Sequence, residues 1–193
     1  MYRELLLRNV SKYIVFDLED REYLSNLLRF EKVKKHQVLL EEGEINSRVM
    51  FVNKGCLRSY VTDKSNVEHV LSFAPEGWWS VDMLSFITQE PARLSIDAVE
   101  DSEIVYLLKS DFDTIHLQIP AFSRFGRILT MNGISSFQHR QIDNLSLTAM
   151  ERYQKFCTLY PSLISALPHY QVASYIGVTP EFLARMLNTA VLS

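Results

Sequence analysis

The residues best placed to act on a partner lie together in the segment His169–Asn188, HYQVASYIGVTPEFLARMLN. Thr179, Pro180, Glu181, Ala184, Arg185 and Asn188 recur at spacings that share the outer face of one helix. Arg185 has the planar fork that grips guanine O6 and N7, and Glu181 can accept from cytosine N4. The chemistry is base reading in double-stranded DNA rather than bond making. The intervening residues position that face. Val172 and Ile176 are apolar four apart, and Ala173 is small where a second helix must cross closely. Gly177 suits a left-handed break, and Val178 plugs the turn. Thr179 is a good N-cap, Pro180 at N1 gives up no needed N–H, and Glu181 sits at the positive end of the helix dipole. Leu183 and Met186 turn back to the core. The pattern is a helix-turn-helix, whose second helix enters the major groove. A plain helical hairpin with a tidy cap would carry the same signals.

The surroundings are weakly basic. Residues 145–193 hold Arg152, Lys155 and Arg185 against Glu151 and Glu181, a net charge of +1. Phosphate contacts supply much of DNA affinity, so weak or strongly salt-sensitive binding, improved by dimer avidity, is expected. Tyr170, Gln171, Ser174 and helix N-terminal N–H groups are candidate substitutes for basic contacts. No catalytic or metal residue is assigned. There is no G-x-S-x-G, no phosphate-cradling glycine loop and no H-E-x-x-H. His36, His69, His116, His139 and His169 are scattered, without the convergence a metal-dependent cupin-type enzyme requires.

Around this segment the periodicity changes twice. Residues 3 to about 30 read as helical, with Asp17 the N-cap of a second helix carrying Tyr23, Leu24, Leu27 and Leu28. From His36 to Asp111 short strands recur every 8 to 12 residues or so. They are Gln37–Leu40, Val49–Val52, Cys56–Thr62, Val67–Phe73, Leu94–Ala98 and Ile104–Leu108. A sandwich or jelly-roll barrel follows. Gly55, in Asn53-Lys54-Gly55, is placed in a tight turn at positive φ. A long helix then carries Phe122, Phe125, Leu129 and Asn132 on one stripe, widened by Ile128, Met131 and Ile134. It either covers the core or lies on its twin in a dimer. Thr148 and Glu151 form a capping box for the next helix, which stops at Pro161.

The chain has 193 residues, a net charge of -3 and a hydrophobic fraction of 47%. A generally basic, histone-like binder is excluded, whereas a binder with one local basic face is not. Cys56 and Cys157 form no C-x-x-C pair or disulfide framework, which fits a reducing cytoplasm. The start MYRELLLRNV is too short in apolar residues for a signal-peptide core, and no run of 18 apolar residues spans a membrane.

A β domain, a long helix and a C-terminal helix-turn-helix, in that order, resemble the Crp-Fnr family of bacterial transcription regulators. The local anchors are Glu42-Gly43-Glu44, Gly55, the segment Trp79–Ala98 and, above all, VASYIGVTPEFLARML. The resemblance implies an α+β fold: an N-terminal β-roll, jelly-roll-like sensor domain over 1–118, a dimerisation helix over 119–144 and a small all-α helix-turn-helix domain over 145–193. Only five residues follow Asn188, so no wing is evident. The implied function is that of a cytoplasmic homodimeric regulator of DNA, governed by a small-molecule effector, with RNA polymerase as a further implied partner.

Two departures bear on the effector. In members that bind cyclic AMP, a Gly-Glu pair meets the ribose and an Arg-Ser pair the phosphate. Here those places hold Val81-Asp82 and Ala92-Arg93. The arginine is displaced by one residue, which on a strand moves a side chain to the opposite face. Cyclic AMP is therefore not the expected ligand, and Asp82, Arg93 and Trp79 are the candidate contacts for a different one. The absence of cysteines before Cys56 speaks against an iron–sulfur cluster. A sensor or adaptor that no longer binds DNA is the competing reading.

Overall fold

In a computed structural model of the chain, residues 2–191 are described, with side chains to Thr189. Two N-terminal helices, α1 (Glu4–Ser11) and α2 (Leu18–Leu27), precede strands β1 (Arg29–Val33), β2 (Val38–Leu40), β3 (Arg48–Lys54), β4 (Cys56–Thr62), β5 (Glu68–Pro75) and β6 (Trp79–Ser80). Helix α3 (Met83–Thr88) interrupts the strands before β7 (Ser95–Ala98) and β8 (Ser102–Leu108). Then come α4 (Lys109–Gln118), the 26-residue α5 (Ala121–Ser146), α6 (Ala149–Leu159), a 3-10 turn at Pro161–Leu163, α7 (His169–Ile176) and α8 (Pro180–Val191). The strands form two antiparallel four-stranded sheets, ordered β1-β8-β3-β6 and β2-β7-β4-β5.

Strand alternation builds three cores in layers. On β3, Val49 and Phe51 face the helices α1, α2, α4 and α5, while Met50 and Val52 face the interior between the sheets. On β8, Val105 and Leu107 go one way and Ile104 the other. Both faces of these strands are buried, which explains their unbroken apolar runs. The second sheet sends Leu57, Ala74, Ile96 and Ala98 inward. Its other face offers Cys56, Val70, Phe73 and Val99 to α6, α7 and α8. The C-terminal helices thus pack directly on the sheet and share its core.

The helical reading of residues 3 to about 30 ran too far. Asp17 does cap α2, accepting from the Asp20 N–H at 2.9 Å. But the helix ends at Leu27, Leu28 is extended, and Arg29–Val33 pairs with β8. Pairing with a sheet edge overrides a local helical pattern. The short β6 and α3 were not read from periodicity either. Gly55 has φ of +88°, and a Cβ there would lie 2.4 Å from Ser102 Oγ. Glycine is required at that turn by conformation and by space. Among the described residues no helix is long and apolar enough to cross a membrane.

Candidate nucleic-acid interface and effector region

Helix α7 ends at Gly177, which is left-handed with φ of +74°. The Val178 N–H donates to the Ala173 carbonyl at 3.0 Å, closing the turn. Thr179 then caps α8, its hydroxyl accepting from the Phe182 N–H at 3.2 Å. Leu183 is fully buried and Met186 partly so, against Val172, Ala173 and Ile176. These contacts fix the rotation of α8. Its opposite face stays free: Thr179, Pro180, Glu181, Ala184, Arg185 and Asn188 are all exposed. Hydrogen bonds from its own backbone N–H and the Thr179 hydroxyl hold the Glu181 carboxyl below its ordinary pKa, and Arg185 adds to this. Glu181 is therefore an anion on this face, able to accept from a base amino group and repelled by phosphate.

Phe182, which sequence reasoning passed over, is 43% exposed beside Glu181 and Arg185. Its ring is of the type that contacts a thymine methyl. Its signal was present as an aromatic off the Leu183–Met186 stripe.

Two proposed substitutes for basic contacts are unavailable. Gln171 is only 2% exposed. The Ser174 hydroxyl accepts from the Val70 N–H at 2.9 Å and donates to the Glu68 carbonyl at 3.0 Å. Ser174 serves the joint between α7 and β5, the Gln171 amide donates only to the neighbouring Tyr170 hydroxyl at 3.3 Å, and Tyr170 stays exposed. Nothing in the spacing announced that a strand edge would claim Ser174.

Two further side chains reinforce that joint. Arg140, from α5, donates to the carbonyls of Leu71, Val70 (2.9 Å) and Tyr175 (2.7 Å) and lies 4.2 Å above the Tyr175 ring. Leu71 is the extra residue where the pairing jumps from Ser59–Ser72 to Tyr60–Val70. A bulge of this kind frees backbone groups of the strand, and Arg140 takes up two carbonyls there. Arg152, from α6, donates to the Ile176 and Leu147 carbonyls, both at 2.7 Å. Arg58 makes a buried two-pronged pair with Asp97, 2.8 Å on each prong, and reaches Glu68 at 2.7 Å. Register places Arg58 level with Phe73, on the face of the sheet that meets the C-terminal helices.

The candidate effector residues are not brought into one cluster. Asp82 is buried, and its carboxylate accepts from the Ser85 N–H at 3.1 Å as the N-cap of α3. Its carbonyl accepts from the Asn46 amide at 3.2 Å. Ala92 is 3% exposed and Arg93 is exposed. The residue at the expected arginine position thus turns inward without a charge, and the guanidinium lies outside. Trp79 donates its indole N–H to Asn9 at 3.0 Å and packs on Phe51 and Phe125. Asp82 and Trp79 therefore each have a structural partner. Among the described residues no cluster of three or more His, Cys, Asp and Glu side chains could hold a metal ion.

Comparison with known proteins agrees with this layout. Residues 30–118 match the family described as Cyclic nucleotide-binding domain. A search of curated proteins gave no match. Solved structures are similar over most of the chain. FixK2 from Bradyrhizobium japonicum aligns with a TM-score of 0.74 and 18% identity, covering 84% of this chain and 83% of that one. A structure assigned to the crp/fnr family from Eubacterium rectale gives 0.69 and 16%, covering 92% and 84%. CLP of Xanthomonas campestris, described as a c-di-GMP responsive global regulator, gives 0.68 and 14%, covering 91% and 92%. Residues 30–118 are thus a cyclic nucleotide-binding-type domain, set in a chain with the fold of the Crp/Fnr transcription regulators.

Proposed function

We propose that the protein is a homodimeric, DNA-binding transcription regulator controlled by a small-molecule effector other than cyclic AMP, and not an enzyme. The observation that carries this reading is the outer face of α8. It is held in helix-turn-helix geometry with its six candidate contact residues exposed. The second half of α5 supports the dimer. Phe122 and Phe125 are buried in the chain's own core, whereas Met131, Ile134, Ile142 and Leu145 are exposed along the free part of the helix. Two copies joined there can present two α8 helices about one DNA turn, roughly 34 Å, apart. A small change in how the β domain seats on α5 then alters that separation and switches binding. The uncharged inward position at Ala92 supports a ligand other than cyclic AMP. Cytoplasmic location and contact with RNA polymerase belong to this proposal.

The test is selection from a random duplex library at about 50 mM salt, followed by a salt titration. A recovered palindrome with half-sites one turn apart supports the reading. Arg185→Ala is expected to lower affinity for that site by roughly tenfold or more, the worth of one good base contact, with the dimer intact. Unchanged specific binding removes Arg185 from the reading role.

A second reading, a sensor or adaptor without DNA binding, is favoured by the net charge of +1 over residues 145–193, by the burial of Gln171 and by the commitment of Ser174 to the edge of β5. It requires that no duplex be bound at any salt, with or without cell extract.

A further inference from the structure

Arg140 and Arg152 lie in a groove of about 860 Å³. The second half of α5 forms one wall, α6 the other, and Tyr175 and Ile176 at the end of α7 line it too. Its volume is in the range of small-molecule sites. The two guanidiniums grip successive carbonyls there, Tyr175 and Ile176, each at 2.7 Å. Every acceptor they use is a neutral carbonyl.

The acids lining the groove are already engaged. Asp143 pairs with Lys155 at 2.6 Å, and Glu151 accepts from the backbone N–H and hydroxyl of Thr148. Among the described residues, neither arginine has a carboxylate partner. Arg140 Nε is buried without any acceptor, and burial lowers the pKa of the side chain. A desolvated cation without a counter-ion is unfavourable. The partial negative charge at the C-terminus of α7 offsets only part of that. The side chains of Ser135, Ser136 and Asn144 line the same space and carry further hydrogen-bond donors.

We propose that this groove binds a small molecule bearing an oxyanion, phosphate or carboxylate, with Arg140 and Arg152 supplying the opposite charge. Binding itself does not depend on the regulator reading. Its consequence does: both arginines hold the last carbonyls of α7, one turn before the reading helix, so an occupant is coupled to the position of α8. The effector site would then lie between the long helix and the helix-turn-helix rather than inside the β domain.

The test is isothermal titration calorimetry of the full chain at fixed ionic strength, with inorganic pyrophosphate in one arm and citrate in the other. Amide NMR shifts locate any binding. Saturable one-site binding in at least one arm is expected, with shifts confined to residues 135–155 and 175–176. Ser136→Glu adds a negative charge to the wall at an exposed position without removing a contact, and should weaken binding at least tenfold. Lys64→Gln, at an exposed position outside the groove, should leave it unchanged. No saturable binding in either arm, or equal binding by Ser136→Glu, overturns the proposal. Binding of pyrophosphate or citrate by a chain that selects no DNA overturns the regulator reading instead, so the two failures are distinguishable.

Discussion

Cys56 shows how far burial, helped by nearby carboxylates, changes a side chain's chemistry. It sits in the core shared by the sheet and the C-terminal helices. Burial first, and then the charge of Glu100, push its thiol up from 9.0 to about 12. The thiolate is the reactive form, so Cys56 is inert in the folded chain. Iodoacetamide at pH 8 is expected to label Cys157 alone, with Cys56 labelled only after denaturation, as read by peptide mass spectrometry. The linkage has a definite sign. Because the folded value is raised, the contribution to stability is complete below the unfolded value near 9 and is lost as pH rises from there towards 12. At Arg58 burial opposes the charge, but the combined pull of Asp97 and Glu68 overrides it and keeps the guanidinium protonated. Removing Asp97 leaves the buried guanidinium with only Glu68, on a single prong. Asp97→Ala should therefore destabilise by roughly 2–3 kcal/mol in urea unfolding, less than full loss of the charge's partners would cost.

At the scale of elements, what could be read depended on whether a local rule or a distant partner decided the outcome. Asp17, Thr148 with Glu151, Gly177 and Thr179 each act on residues three or four away, and all four features occupy the predicted places. The strand series was legible because turns punctuate it. The strand β1 was not, since its conformation comes from β8, about seventy residues later. The outer face of α8 followed from helix geometry, whereas the loss of Ser174 to the strand edge required knowing that α7 lies on β5. Two tests belong here. Gly55→Ala forces a Cβ against Ser102 at positive φ. It should cost roughly 1–3 kcal/mol, and each kcal/mol lowers Tm by about 2–4 °C in a chain of this size. In the capping box, hydrogen bonds from Thr148 hold the Glu151 carboxyl below its ordinary value. Its contribution to stability is present above the unfolded pKa and is lost as pH falls through the folded one. Glu151→Gln should flatten that acid-side dependence in thermal melts.

For the whole molecule, α5 divides its labour along its length. Its first turns complete the core over the first sheet, and its later turns leave Ile134 and Leu145 in solvent, the latter 80% exposed. Ile134→Glu should convert a dimer to a monomer in sedimentation equilibrium and abolish the concentration dependence of Tm, leaving the circular dichroism of the folded chain unchanged. A wild-type monomer at micromolar concentration would remove the dimer. The docking of α7 has a consequence of another kind. The strand β5 is the outer strand of its sheet, and the open rim of a sheet is a template for unwanted pairing between chains. Ser174 occupies the Glu68 carbonyl and the Val70 N–H, and Arg140 occupies the carbonyls of Val70 and Leu71. Helix α7 and the end of α5 thus cover the rim of the sheet. A chain cut after Ser146 would keep Arg140 but lose Ser174 from that rim, and it would uncover the apolar face bearing Val70 and Phe73. Its light scattering should rise with time and concentration while the intact protein stays clear.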